Sequence, residues 1–235
     1  VLSAWVTRRE SANYIGILKH AVRRMAGMIS IGIRPGPGAT QMPNSKARYP
    51  LLRERLTFLL EFLKHPLQIG SVIPSSRFLE QRLLRTAELA SARTVVELGS
   101  GTGGTTLAIL RALPADARLL SIEINPEFHR LVSAIRDPRL IAHLGSACDL
   151  REILAVYGLG APDAIISGIP FSTMSPDIGS ETLAAVAAAL SPRGRFVAYQ
   201  VSNRVAELCH PYLGVGRVEL ELLNIPPMRV IRWEK

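Results

Sequence analysis

The segment Thr94-Val95-Val96-Glu97-Leu98-Gly99-Ser100-Gly101-Thr102-Gly103-Gly104 decides how the chain is to be read. Its first five residues are mostly aliphatic or β-branched and show no polar alternation, which predicts a strand buried on both faces. The glycines that follow permit a tight turn and let a ligand approach the backbone, with the N–H groups of the next helix facing it. Gly99, Gly101 and Gly104 alone also satisfy a dinucleotide-binding spacing. Glu97, two residues before the first glycine, separates the readings. Its carboxylate would repel a pyrophosphate brought to this turn and attract an ammonium or a sulfonium.

Strands and helices alternate on the C-terminal side of this segment. Strands are predicted at 94–98, 118–123, 140–144, 164–167 and 195–201, with helices at 105–113, 126–135, 149–157, 180–190 and 204–209 between and after them. Such alternation implies a parallel sheet with helices on both faces. Two closing strands, 216–223 and 228–234, are joined by too few residues for a crossover and must form an antiparallel hairpin. The fold class is therefore α/β, a doubly wound, mostly parallel sheet of seven strands. Ahead of it, Ser75 or Ser76 is positioned to cap a helix running to about residue 90.

The N-terminal part differs in charge. Residues 1–65 hold eleven basic and three acidic side chains, whereas residues 66–235 hold seventeen and sixteen. Nearly all of the net charge of +9 thus sits on an N-terminal extension, which predicts a polyanionic partner. Tyr14, Ile17, Leu18, Ala21, Val22 and Met25 recur at helical spacing with Lys19, His20, Arg23 and Arg24 on the other face, as in a basic amphipathic helix that lies in a lipid interface or packs on a partner. A Gly/Pro-rich linker, 32–50, and a second helix, 51–65, follow. The expected division is an extension at 1–65 and an α/β domain at 66–235. No stretch reaches the ~18 apolar residues of a spanning helix, and no secretory signal is read, so the expected location is cytoplasmic and peripheral to a membrane. Cys148 and Cys209 lie far apart without a matching His cluster, which excludes a disulfide scaffold and a zinc site.

Three further positions lie at strand ends, where ligands of open α/β sheets bind. Glu123 closes the second strand, about 20 residues past the last glycine, where an acid can chelate two ribose hydroxyls. Gly145-Ser146-Ala147-Cys148-Asp149 follows the third strand, and Asp149 is expected to cap the next helix. Ser167-Gly168-Ile169-Pro170-Phe171-Ser172 follows the fourth strand and would face the bound ligand.

The acid-then-glycine loop, the acid ending the second strand and the Pro-aromatic turn after the fourth resemble the class I S-adenosylmethionine-dependent methyltransferases over residues 66–235. Within that superfamily, Lys64–Ser76, the Ser167–Ser172 turn and Asn224–Val230 resemble bacterial phospholipid N-methyltransferases, which methylate phosphatidylethanolamine. The resemblance implies that Glu97, Gly99, Gly101 and Gly103 hold the methionine end of S-adenosylmethionine, Glu123 the ribose, and Ile124 the adenine face. Ser146 and Ala147 would lie near the adenine amino group, with Ser146 standing where an Asp is common. Ile69, with Gly70 and Ser71, would line the entrance.

Gly168, Ile169, Pro170 and Phe171 would form the methyl-transfer turn. Backbone carbonyls at Gly168 and Ile169 would orient the amine, the Phe171 ring would face developing positive charge, and Tyr199 and Gln200 would reach the headgroup. The implied partners are a phospholipid substrate and an anionic membrane surface met by the basic N-terminal helices. The alternative is an RNA adenine N6-methyltransferase resembling the ribosomal RNA adenine dimethylases. Those carry Asn, Asp or Ser at the head of the turn, where this chain has Gly168, so nucleic acid is the lesser partner.

Overall fold

The computed structural model describes residues 75–224 and 226–235. The expected boundary near residue 65, the two N-terminal helices and Ile69 lie outside the described residues.

Helix α1 (Arg77–Ala87) starts at Ser76, whose side chain accepts the Leu79 N–H and satisfies one of the unpaired donors of the first turn. The alternation then runs β1 (Thr94–Leu98), α2 (Gly104–Ala112), β2 (Arg118–Glu123), α3 (Pro126–Ser133), β3 (Leu140–Leu144), α4 (Leu150–Val156), β4 (Ala164–Ser167), α5 (Pro176–Ala189), β5 (Arg195–Gln200), α6 (Arg204–Leu213), β6 (Arg217–Glu221) and β7 (Met228–Glu234). The seven strands lie in the order β3-β2-β1-β4-β5-β7-β6. β1 to β5 pair parallel, and β7 runs antiparallel to both β5 and β6. The order reverses beside β1, so the ends of β1, β2 and β4 share one crevice at the edge where strands deliver their C-terminal residues.

Successive strand residues enter opposite cores, as the period of two demands. Val96, Leu98, Ile165 and Phe196 pack with α4, α5 and α6, and Phe196 stacks on Trp233 with ring centroids 5.2 Å apart. Val95, Ala164, Ile166 and Val197 pack against α1 and α2 on the other face.

Several boundaries depart from the expectation, and three have a clear local cause. Helix α5 begins at Pro176 rather than at Ser180, because Ser175 caps it through Ile178 N–H and proline, lacking a donor, suits the first turn. Helix α6 continues through Pro211 to Leu213, since Gly214 N–H still bonds the His210 carbonyl and closes the last turn. Strand β6 stops at Glu221, whose Oε1 accepts the Leu223 N–H and turns the chain.

Candidate active site

At the end of β1 the backbone enters the left-handed region at Gly99, Gly101 and Gly103 (φ 75°, 53° and 86°). This alternate spacing, and not the one through Gly104, is what the turn requires; a side chain on Gly104 would meet open space. Gly103 precedes α2 without any side-chain cap, leaving the first-turn N–H groups of that helix facing the loop.

Two carboxylates stand behind the loop. Glu97 is buried, and its Oε2 accepts from Thr106 Oγ1 at 2.6 Å and Ser121 Oγ at 2.9 Å. Its Oε1 and the nearby Ser100 Oγ are buried with no hydrogen-bond partner. Burial pushes the Glu97 carboxyl up to about 7, the two hydroxyl donors oppose that rise, and the charge of Glu123 adds to it. Glu123, also buried, accepts Gly101 N–H on Oε2 and Asn125 N–H on Oε1, each at 2.9 Å. Each of those oxygens keeps a second lone pair. A buried acceptor with no donor beside bare backbone fits a ligand that brings positive charge or N–H and O–H groups to this loop.

The turn after β4 is built differently. Gly168 N–H bonds the Leu98 carbonyl, drawing the turn against the glycine loop. A Cβ on Gly168 would lie 2.4 Å from Tyr199 Oη and 2.9 Å from its Cζ, so the phenol occupies the space a side chain would need. Tyr199 Oη lies 3.4 Å from Thr105 Oγ1, and burial pushes the phenol up to about 12, so it stays protonated at neutral pH. The Ile169 carbonyl accepts both Phe171 N–H and Gln200 Nε2, and the Pro170 carbonyl accepts both the N–H and the hydroxyl of Thr173.

Known proteins share this fold. No family profile matches the chain. An ornithine lipid N-methyltransferase of Singulisphaera acidiphila is 32% identical over 159 residues, which span 67% of this chain and 80% of that protein. The chain belongs to the class I S-adenosylmethionine-dependent methyltransferases. S-adenosylmethionine is its cofactor. A ribosomal RNA small subunit methyltransferase A of Phenylobacterium zucineum is 29% identical over 98 residues, covering 41% of this chain and 33% of that protein. Among solved structures, the O-methyltransferase TomG of Streptomyces achromogenes in complex with S-adenosylmethionine aligns with a TM-score of 0.55 at 18% identity, over 77% of this chain and 90% of that one. A precorrin-6y C5,15-methyltransferase of Geobacter metallireducens aligns at 0.53 and 16%, over 67% and 88%.

The methyltransferase brings together Glu97, Gly99, Gly101, Gly103, Glu123, Gly168, Ile169 and Tyr199 at one end of the sheet. Ile124, 74% exposed, stands beside them as a bare apolar surface. Three expectations are corrected. Phe171 offers no face to a substrate: its ring is wholly buried in the core with Leu183 and Val205. Ile169 cannot orient an amine through its carbonyl, because both lone pairs are taken by Phe171 N–H and Gln200 Nε2. Asp149 makes no side-chain cap; Ser146 Oγ instead accepts Cys148 N–H and caps a short 3₁₀ turn, Ala147–Asp149. The exposed Asp149 carboxylate is thereby left beside Ala147.

Sequence reasoning missed Thr105, Thr106 and Ser121. The signal for Ser121 is a hydroxyl in an otherwise apolar buried strand, Leu119-Leu120-Ser121-Ile122, where only a buried polar partner justifies it.

Proposed function

We propose that the methyltransferase methylates the amine of a lipid headgroup, converting phosphatidylethanolamine towards phosphatidylcholine at a membrane surface. The observation that carries this reading is the head of the turn after β4. Gly168 offers a carbonyl and no side chain, above a neutral phenol, which suits a small aliphatic amine and gives a planar base nothing to grip. The similarity to a protein named for lipid N-methylation supports the same substrate class, and the basic extension supports a polyanionic surface as its place of work.

In this reading Glu97 and the loop of Gly99, Gly101 and Gly103 would hold the methionine end of the cofactor, where the unpartnered Glu97 Oε1 suits a cation. Glu123 would hold the ribose hydroxyls, and Ile124, Ser146 and Ala147 would hold the adenine. The bound cofactor supplies an electrophilic methyl on a sulfonium. The acceptor amine, with a solution pKa of ~10.4 for a Lys-like group, must lose a proton to bulk water before its lone pair can attack. The Gly168 carbonyl and Tyr199 Oη accept its N–H bonds and aim the lone pair, and this alignment supplies most of the acceleration. Ile169 and Pro170 give the turn its shape, and buried Phe171 anchors it.

Turnover of labelled methyl donor with phosphatidylethanolamine vesicles, ornithine lipid vesicles and RNA tests the proposal. Methylation of phosphatidylethanolamine is expected. Methylation of ornithine lipid alone would move the headgroup, and methylation of RNA alone would overturn the lipid reading.

A further inference from the structure

Among the described residues the edge strand β6 pairs only with β7, which leaves its outer edge without a strand partner there. Its acids all turn towards α1, where Arg82 bonds Glu219 at 2.6 Å and Glu221 at 2.8 Å. On the opposite face Val218 stands in register with buried Ile231, and Leu220 with Arg229. Val218 and Leu220 are exposed, and Leu222 and Leu223 in the following turn are 68% and 64% exposed. Edge strands usually carry charges outward to discourage association, and a contiguous apolar patch of this kind marks an interaction surface.

The position of the stripe narrows its partner. Strands β6 and β5 both run antiparallel to β7, so β6 ends at the same edge of the sheet as Gly168 and Tyr199. Arg229 Nη1 bonds the Val201 carbonyl just past β5, which fixes a cation between the stripe and the acceptor turn. Its remaining guanidinium donors suit a phosphodiester. We infer that Val218, Leu220, Leu222 and Leu223, with Arg229 beside them, seat the enzyme on an anionic bilayer and orient the acceptor turn towards the headgroups. This rests on the lipid-amine reading.

A bilayer fits better than a second copy of the chain. A self-complementary contact on this face would bring two Arg229 side chains into one interface, where their like charges oppose each other. Among the described residues no helix is long and apolar enough to cross a membrane, so those residues meet lipid from its surface.

The test uses the full chain and the double variant Leu222→Asp/Leu223→Asp. Cosedimentation with vesicles of phosphatidylethanolamine and phosphatidylglycerol should fall by about tenfold or more, and turnover on those vesicles with it. Turnover on short-chain phosphatidylethanolamine dispersed as monomers, and cofactor affinity by calorimetry, should stay within about twofold of the wild type. Leu222→Phe/Leu223→Phe should keep vesicle binding. Unchanged sedimentation of the Asp variant would overturn the inference, as would equal loss on vesicles and monomers. Light scattering that shows a wild-type dimer split by the Asp variant would overturn it in favour of self-association. If the wild type methylates neither form of the lipid, the lipid-amine reading fails instead, and the sedimentation arm decides the docking face by itself.

Discussion

At the ends of β1 and β2 the protein leaves acceptor groups open, whereas at the end of β4 it closes nearly all of them. Glu97 Oε1 and Ser100 Oγ are buried without partners, and Glu123 holds two backbone N–H groups while keeping lone pairs to spare. In the turn after β4, the carbonyls of Ile169 and Pro170 are each doubly bonded, and the Phe171 ring is sealed in the core. The first region is incomplete without a polar, cationic ligand. The second is complete in itself and offers shape, one carbonyl and a phenol. A methyltransferase, which must grip a charged cofactor and position an acceptor beside it, needs both kinds of construction.

Four substitutions, one of them extended to a double variant, break or sharpen that contrast. Phe171→Ala should have the largest effect, about 3–5 kcal/mol of stability, because it empties a core position. It should appear as a lowered melting temperature, and a normal melting curve with lost turnover would return the ring to the substrate side. Glu123→Ala should follow at about 1.5–3 kcal/mol of cofactor affinity by calorimetry, since it also strands the N–H groups of Gly101 and Asn125. Unaltered affinity would remove Glu123 from the site.

Gly168→Ala should cost about 1–3 kcal/mol of stability through overpacking against Tyr199, read as a lowered melting temperature. Adding Tyr199→Phe removes the nearest clashing atom and should restore part of that stability if the phenol oxygen is the obstacle, while turnover stays low because the phenol is gone. No recovery in the double variant would place the strain elsewhere.

Glu97→Gln should have the smallest effect at neutral pH and the most informative pH dependence. Burial raises its folded pKa from 4.5 to about 7, so the native protein keeps a proton that the unfolded chain has released. Stability therefore falls as pH rises through that window, and above it the buried charge is fully unfavourable. The ligand-free Gln variant should lose this decline and melt higher than the wild type on the alkaline side. Cofactor affinity of the wild type should rise with pH through about 7 as the carboxylate ionises to meet a cation, and the variant should lack that slope. Equal slopes for both proteins would show that Glu97 does not face the cofactor's charge.

The strands were legible because their signals are local. β1, β2, β3, β4 and β7 begin and end where runs of Val, Ile and Leu meet Gly, Pro or charged residues, and neighbours in sequence suffice to read that. The pairing of Glu97 with glycines, and the acid at Glu123, were legible for the same reason. Tertiary structure decided the rest. Gln200, 31 residues away, takes the Ile169 carbonyl, and Tyr199 fills the space above which Gly168 must lack a side chain. Folding also buries Glu97 deeply enough to move its proton, and turns Phe171 from a candidate wall into core. Hydropathy repeats along the chain, but the partner of a lone pair and the depth of a carboxylate are set by residues that only folding brings near.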